Sequence, residues 1–160
     1  MVTVRNTLDS KENVRPDERA RFYDPENFFA FQFPPVPRRQ FTQERDRAFA
    51  PDAPTGEILL DASDVLETPY PATTPLLLAR YIRLNAGDTL TINRRASAEV
   101  FYVLRGAGRT KGWEERIDWS LGDAFCFPGG GDLVHTADED TVLFTVCNEP
   151  LLVFEDLYPN

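Results

Sequence analysis

His135 is the only histidine in this 160-residue chain, and its imidazole is the side chain best suited to proton transfer near neutral pH. A histidine with an ordinary pKa, about 6.5, can act as a general acid or base. Its position just after the glycine-rich loop Gly129–Asp132 favours a place at the mouth of a cavity rather than on an apolar helix face. The alternative is a hydrogen-bonded structural histidine, and the sequence leaves both interpretations open.

A single histidine also limits the kinds of site that one chain can build. It excludes a zinc site with several histidines and an iron site of the two-histidine facial type. Cys126 and Cys147 lie in apolar stretches, which predicts buried thiols, and two cysteines do not make a disulfide framework. The acidic run Asp138–Asp140 lacks the alternating ligand spacing of a calcium loop and is predicted to be a solvated turn.

The charge of the chain restricts its partners. It carries 26 acidic and 17 basic side chains, a net charge of −9, which repels phosphate backbones and anionic lipid. We therefore expect a small-molecule partner rather than nucleic acid or a membrane. No apolar run approaches the roughly 20 residues of a membrane helix, and the charged N-terminus lacks the apolar region of a signal peptide. Together with the low cysteine content, these features predict a cytoplasmic location.

β-Strands must position these side chains, because no segment beyond residue 56 shows a sustained helical period. Short stretches rich in Val, Ile, Phe, Tyr and Thr alternate with turn residues, which is typical of an all-β fold. The predicted strands cover 76–84, 88–95, 98–106, 115–119, 123–128 and 141–148, with a shorter apolar stretch at 58–60. The stretches around 107–114 and 129–132 are predicted to be loops, and the apolar C-terminal segment after residue 148 a further strand. This pattern predicts an antiparallel jelly-roll barrel.

The first third of the chain differs in composition from the rest. Residues 1–50 carry nine basic and eight acidic side chains and seven of the twelve phenylalanines, most of them within 22–33. We predict that residues 1–55 form an irregular arm, because prolines interrupt it and its aromatic side chains need a surface to cover them. The arm would pack on its own barrel or on a partner subunit, with residues 56–160 as the barrel domain. Pro16 favours a short helix over 17–21.

The stretch between Gly87 and Gly106 has a regular spacing of glycine, polar and acidic residues. Five residues separate Gly87 from Asn93, three separate Arg95 from Glu99, and six separate Glu99 from Gly106. This spacing resembles the first motif of the cupin superfamily, the RmlC-like jelly rolls. In that family, histidines stand at the positions of Asn93 and Arg95.

A second spacing follows from residue 122. Five residues separate Gly122 from Pro128, and Gly130 lies two positions after that proline. This resembles the second cupin motif, which would place a histidine at Leu133, whereas His135 lies two residues further on. The two resemblances together predict a cupin barrel, a double-stranded β-helix, over about half of the chain. The first motif and its strands are similar to gentisate 1,2-dioxygenase-like proteins, which usually contain two cupin domains, so this chain would match one half.

The resemblance implies a divalent iron or manganese ion held by the positions of Asn93, Arg95, Glu99 and His135. Arg95 cannot serve, because a guanidinium offers only donors and stays charged. Asn93 is a poor substitute for imidazole on a transition metal. We therefore expect that the metal site is lost and that the protein holds no cofactor. The alternative is Fe2+ or Mn2+ held by Glu99, His135 and Asn93.

A buried Glu99 without a metal needs another positive partner. Arg95, four residues earlier, is the predicted partner, and this pair would replace the ion at the centre of the barrel. The pair is either purely structural or part of a ligand site. In the second case His135 and Glu99 are the candidate catalytic residues, and Asn93, Arg95, Tyr102 and Phe127 the candidate ligand-binding residues.

Two classes of function remain open from the sequence. The first is a metal-free cupin that binds a small anionic or aromatic acid, either as a binding module or as a metal-independent isomerase or lyase. The second is a metal-dependent cupin dioxygenase acting on a hydroxylated aromatic acid such as gentisate. Either one is compatible with a homodimer or with pairing to a second cupin domain.

Overall fold

Two antiparallel β-sheets form the body of the molecule in the computed structural model, which describes residues 36–159. Within that range the strands are β1 (Gly56–Leu59), β2 (Leu78–Leu84), β3 (Thr89–Asn93), β4 (Ala98–Arg105), β5 (Ala107–Gly112), β6 (Glu115–Ser120), β7 (Ala124–Pro128), β8 (Asp132–Ala137) and β9 (Thr141–Cys147). The helices are α1 (Thr42–Phe49), α2 (Ser63–Leu66) and α3 (Glu149–Phe154).

The chain passes repeatedly from one sheet to the other. The five-stranded sheet has the order β1-β2-β9-β4-β7, and the four-stranded sheet has the order β3-β8-β5-β6. Sequence neighbours such as β3 and β4 therefore lie in different sheets, which is the arrangement of a jelly roll. The predicted all-β jelly-roll class is confirmed.

The core lies between the two sheets, and side chains alternate between core and surface in strands such as β4 and β8, whereas β2 is buried on both faces. In β4, Glu99, Phe101 and Val103 are buried while the residues between them are exposed. In β8, His135 is buried on the same face as its apolar neighbours Leu133 and Ala137. Successive side chains of a strand point to opposite faces, so Glu99 and His135 are carried into the interior by the apolar pattern around them.

One predicted loop is a strand. The stretch 107–112 forms β5, which pairs with both β6 and β8. A Cβ at Gly108 would lie 2.3 Å from the Thr136 carbonyl oxygen and 2.6 Å from the Trp119 ring. Glycine is required there because another backbone and a large ring approach closely, whereas the same glycine in the sequence indicated a turn.

The predicted C-terminal strand is also wrong, because residues 149–154 form helix α3. Pro150 lies in its first turn, where a proline removes no helical hydrogen bond. The buried residues of this helix are Pro150 and Leu152. A six-residue helix has too few turns to show a clear period in the sequence.

The described part of the predicted arm contains one helix. Helix α1 packs against β1 and β2, and the Arg105 guanidinium lies 5.5 Å from the centre of the Phe49 ring. The helix expected over 17–21 and the aromatic segment 22–33 lie outside the described residues. The division at residue 55 and the choice between the own barrel and a partner subunit stay predictions. No helix within 36–159 is long and apolar enough to cross a bilayer.

Candidate functional site

Glu99 is a buried carboxylate with one oxygen satisfied and one without a hydrogen bond. Its side chain is 2 % exposed, and Oε1 accepts a hydrogen bond of 2.6 Å from the Thr145 hydroxyl. Oε2 has no hydrogen-bond partner among the described residues. Burial raises the pKa of Glu99, and Thr145 and nearby Arg94 only partly oppose that shift. This carboxyl therefore binds a proton more readily than an exposed glutamate does.

The positive group next to Glu99 is Arg94, which corrects the predicted Arg95–Glu99 pair. Arg94 Nε lies 3.5 Å from Glu99 Oε2, and Arg94 Nη2 binds the Glu57 carboxylate. Ile92 points into the core from β3, and Arg94, just after that strand ends at Asn93, is directed to the same side and contacts Glu99. Arg95, the next residue, is directed toward the C-terminal segment instead.

His135 is fully buried beside this ion pair. Its Nδ1 lies 2.7 Å from the Thr110 hydroxyl oxygen, and its ring centre is 5.1 Å from that of Phe101. Nε2 has no hydrogen-bond partner within the described part of the chain. Burial and the charge of Arg94 lower the pKa of His135 to about 4. The imidazole is therefore neutral at physiological pH.

These three side chains form what we call the interior cluster: Arg94, Glu99 and His135. Arg94 joins the other two, because it contacts the carboxylate directly and its charge lowers the pKa of the imidazole. Each member has a buried polar atom without a hydrogen bond: Arg94 Nε, Glu99 Oε2 and His135 Nε2. Buried polar atoms are nearly always paired, so these three call for an explanation. Nitrogens of three other arginines in the described part of the chain also lack a hydrogen bond: Arg80, Arg83 and Arg105.

A second buried arginine, Arg80, lies close enough to Glu99 for its charge to act on that carboxyl. Arg80 Nη1 donates to the Cys147 sulfur at 3.2 Å, and Arg80 Nη2 binds the Glu149 carboxylate at the start of α3. Cys147 stands directly opposite Glu99 in the ladder between β4 and β9. Its thiol is buried as predicted, and burial raises its pKa. Cys126, by contrast, is exposed because it lies on the outer face of β7.

Of the other predicted ligand-binding residues, Phe127 lies in the core, whereas Asn93 and Tyr102 lie at the surface. Phe127 is buried in the core and its ring meets that of Phe125 edge-on at 6.3 Å. Asn93 is exposed and donates to Asp132 at 2.7 Å. Tyr102 is 45 % exposed on the outer face of β4, so it does not share a site with Glu99.

Arg95 contributes to a pocket instead of the interior. Its Nε donates to the Leu157 carbonyl oxygen at 2.6 Å, Nη2 pairs with Asp156 at 3.0 Å, and the guanidinium lies 3.8 Å from the centre of the Tyr158 ring. The pocket has a volume of about 360 Å3. It is lined by Asn93, Arg94, Arg95, Gly130, Tyr158 and Pro159. Arg94 therefore belongs both to this pocket and to the interior cluster.

The donor atoms of the interior cluster do not fit a divalent transition metal. Within residues 36–159, no three imidazole, thiol or carboxylate side chains are grouped so that they could share an ion. Glu99 and His135 are the two usable ligands, and the Arg94 guanidinium, a fixed cation, stands 3.5 Å from the carboxylate. Three or four protein ligands are usual for such metals.

Sequence reasoning missed Arg94, Thr110 and Thr145 as members of the buried polar groups. A signal for Arg94 was present, because the predicted strand 88–95 contains both Arg94 and the apolar residue Ile92. Alternation along that strand places the two side chains on the same face. Arg80 likewise lies on the same face of β2 as the core residues Ile82 and Leu84. Nothing local marks the two threonines, because their roles depend on strands far away in the chain.

This geometry, two interlocked antiparallel sheets with a polar cluster inside the barrel, is that of the cupin fold. The described chain is similar to salicylate 1,2-dioxygenase from Pseudoaminobacter salicylatoxidans with bound gentisate, with a TM-score of 0.53 and 24 % identity over 68 % of this chain and 28 % of the other. A variant of that enzyme with gentisate gives a TM-score of 0.58 and 22 % identity over 74 % of this chain and 35 % of the other. No family model and no characterised sequence matches this chain.

The length of the match matters for how far the similarity reaches. The chain spans about a third or less of the salicylate dioxygenase chains. The predicted similarity to one part of gentisate dioxygenase-like proteins is confirmed at the level of the fold. An identity this low supports no transfer of activity.

Proposed function

We propose that this barrel binds a small carboxylate or phenolate at the interior cluster without a metal ion. The observation that carries the proposal is the set of three buried atoms without hydrogen bonds, Arg94 Nε, Glu99 Oε2 and His135 Nε2. Leaving such a group unpaired costs about 1–3 kcal/mol. A bound ligand with oxygen atoms would supply the missing partners.

The pocket beside Asn93 and Arg95 is the route by which a ligand would reach the interior cluster. Its volume of about 360 Å3 suits a small molecule, and its two arginines attract an anion into a protein whose net charge is −9. Arg94 lies at the boundary between pocket and interior cluster. Its guanidinium can therefore contact a carboxylate that enters through the pocket.

The chemistry available after binding is proton transfer. Glu99, whose pKa is raised, can donate a proton, and neutral His135 can accept or donate one. This pair suits a metal-independent isomerase or lyase. Binding without turnover suits the same atoms.

The second candidate is a metal-dependent dioxygenase of hydroxylated aromatic acids. The fold similarity to salicylate 1,2-dioxygenase favours it. The donor atoms argue against it, because Arg94 stands where it repels a cation. Oxygen consumption with gentisate, measured after incubation with Fe2+ and with Mn2+, separates the candidates, since only the dioxygenase consumes oxygen.

Calorimetric titration tests the first proposal, with gentisate and salicylate as probes and the corresponding amides as uncharged controls. Binding of the acids but not of the amides is expected. Arg94→Leu should weaken binding at least tenfold, and Arg94→Lys should restore part of it because the charge is kept. Equal binding of acids and amides, or no effect of Arg94→Leu, would contradict the proposal.

Three expectations accompany this proposal. They are a small-molecule partner in place of nucleic acid or a membrane, a cytoplasmic location, and assembly as a homodimer or with a second cupin domain. The last rests on the sequence resemblance to proteins with two cupin domains. Light scattering coupled to size exclusion tests it directly, and a clean monomer would contradict the homodimer.

A further inference from the structure

A chain of buried side chains leads from Trp119 through Thr110 to His135. Trp119 Nε1 lies 2.9 Å from the Thr110 hydroxyl oxygen, and that oxygen lies 2.7 Å from His135 Nδ1. Thr110 and His135 are fully buried, and Trp119 is 3 % exposed. The three residues come from β6, β5 and β8, which are neighbours in one sheet.

The direction of the first hydrogen bond is fixed by chemistry. An indole nitrogen can only donate, so the Thr110 oxygen accepts from Trp119. The Thr110 hydroxyl hydrogen then needs an acceptor of its own. His135 Nδ1 is the acceptor within reach in the described part of the chain.

The opposite arrangement is less favourable. If His135 Nδ1 carried the hydrogen, the Thr110 oxygen would accept twice and its own buried hydroxyl hydrogen would have no partner. An unsatisfied buried donor costs about 1–3 kcal/mol. His135 Nε2 has no partner among the described residues in either tautomer, so the Thr110 hydroxyl decides between them. Its hydrogen points to Nδ1, and the ring carries its single hydrogen on Nε2.

We infer that Trp119 and Thr110 hold His135 as the Nε2–H tautomer, so that the ring presents a hydrogen-bond donor to an anionic ligand oxygen and not a lone pair to a metal ion. The inference rests on the proposed function for the identity of the ligand as an anion. It assigns Thr110 and Trp119 as positioning residues of the site. His135 Nε2–H is then a second hydrogen-bond donor of the site, in addition to Arg94 Nε.

The inference gives a physical reason for the poor fit to a metal. A histidine that binds a metal through Nε2 usually donates Nδ1–H to a carboxylate or carbonyl, which leaves the Nε2 lone pair free. In this protein the Thr110 hydroxyl already accepts a hydrogen bond from Trp119, so it donates its own hydrogen to Nδ1 and the usual pattern is reversed. The nitrogen at the interior cluster is then a donor, as an oxyanion requires.

The single histidine makes the test direct. Nitrogen-15 NMR of protein labelled at histidine contains one imidazole, so each ring nitrogen gives one assignable signal. At pH 7 we expect the directly bonded hydrogen on Nε2 and a hydrogen-bonded, unprotonated Nδ1. A hydrogen on Nδ1 would overturn the inference.

Three variants, and the addition of ligand or metal, complete the experiment. Thr110→Ser should preserve the Nε2–H signature, whereas the near-isosteric Thr110→Val should produce a mixture of tautomers. Identical spectra of wild type and Thr110→Val would overturn the role of Thr110. Trp119→Phe, which removes the indole donor, should shift the population toward Nδ1–H, and an unchanged population would overturn its role.

Adding gentisate should move the Nε2–H signal, and adding Mn2+ alone should leave it sharp. A signal broadened by stoichiometric Mn2+ would overturn the inference that the ring is not a metal ligand. If the spectrum shows the Nε2–H tautomer but does not change when gentisate or salicylate is added, the tautomer is confirmed and the proposed anion binding is contradicted. The two failures are therefore distinguishable.

Discussion

Arg94 Nε lies 3.5 Å from Glu99 Oε2 inside the barrel, and no hydrogen bond joins the two atoms. The contact neutralises charge but leaves both atoms with unused hydrogen-bonding capacity. A purely structural ion pair would gain by closing this gap, because buried pairs are stable only when their remaining polar atoms are satisfied. The open geometry is why we assign the pair to a ligand site.

Removing Arg94 should destabilise the protein far more than removing its neighbour Arg95. Arg94→Leu leaves Glu57 and buried Glu99 without their cation, which we expect to lower the free energy of unfolding by about 3 kcal/mol. Arg95→Leu breaks a partly exposed pair with Asp156, and such pairs contribute about 0–1 kcal/mol. Urea unfolding of both variants checks this. A similar loss in the two would contradict the central role of Arg94.

Replacing Glu99 should remove a contribution to stability whose pH dependence is opposite to that of an ordinary carboxylate. Because burial raises its pKa, the contribution of Glu99 to stability is present at low pH and is lost as pH rises through the folded-state value. Glu99→Gln keeps an oxygen to accept from Thr145. The stability difference, variant minus wild type, should therefore increase as pH rises from about 4. A difference that does not change with pH would contradict a raised pKa.

The overall class was predictable because it depends on local patterns. Alternating β-strands and two glycine-containing motifs predict the barrel, and the buried face of β4 follows from Phe101, whereas β8 was not predicted as a strand. The ion pair was predicted one residue away from its true position. Motif spacing pointed to Arg95, whereas the pleat of β3, read from Ile92, points to Arg94.

The rest of the site could not be read from local patterns. Thr110 reaches His135 only because β5 and β8 pair across 25 residues, and Thr145 reaches Glu99 across 46. Strand β5 itself was hidden by its two glycines, of which Gly108 packs closely against Trp119 and Gly112 against Leu133. Strand pairing between distant segments decides these contacts, and one sequence carries no direct record of it.

His135 should make the protein sensitive to acid. Burial lowers its pKa from 6.5 to about 4, so the unfolded chain binds a proton in this window that the folded protein does not. Stability from this group is complete above about pH 6.5 and is lost as pH falls toward 4, by about 3 kcal/mol in all. Unfolding of wild type and His135→Gln from pH 4 to 8 checks this. The wild type should lose more stability than the variant over that interval, and parallel curves would contradict it.

Metal content should stay far below one ion per chain. Elemental analysis of protein purified without chelator, before and after incubation with Fe2+ and Mn2+, is the measurement. Arg94→Leu is the informative variant, because removing the guanidinium lifts the repulsion of a cation while leaving Glu99 and His135 in place. We expect little metal in wild type and at most weak, reversible binding in the variant, since two ligands remain. One tightly held ion per wild-type chain would contradict both the metal-free assignment and the Nε2–H tautomer.

The C-terminal residues beside Arg95 should control entry to the pocket without supporting the barrel. Tyr158 covers the Arg95 guanidinium at 3.8 Å, yet Tyr158 is 71 % exposed and contributes little to the core. Tyr158→Ala should therefore change the free energy of unfolding by less than about 1 kcal/mol. It should raise the association rate of gentisate several-fold, measured by stopped-flow fluorescence, because the pocket mouth is widened. Phe154→Ala, an exposed residue outside the pocket lining, is the control. An association rate changed equally by both substitutions would show that Tyr158 does not govern access.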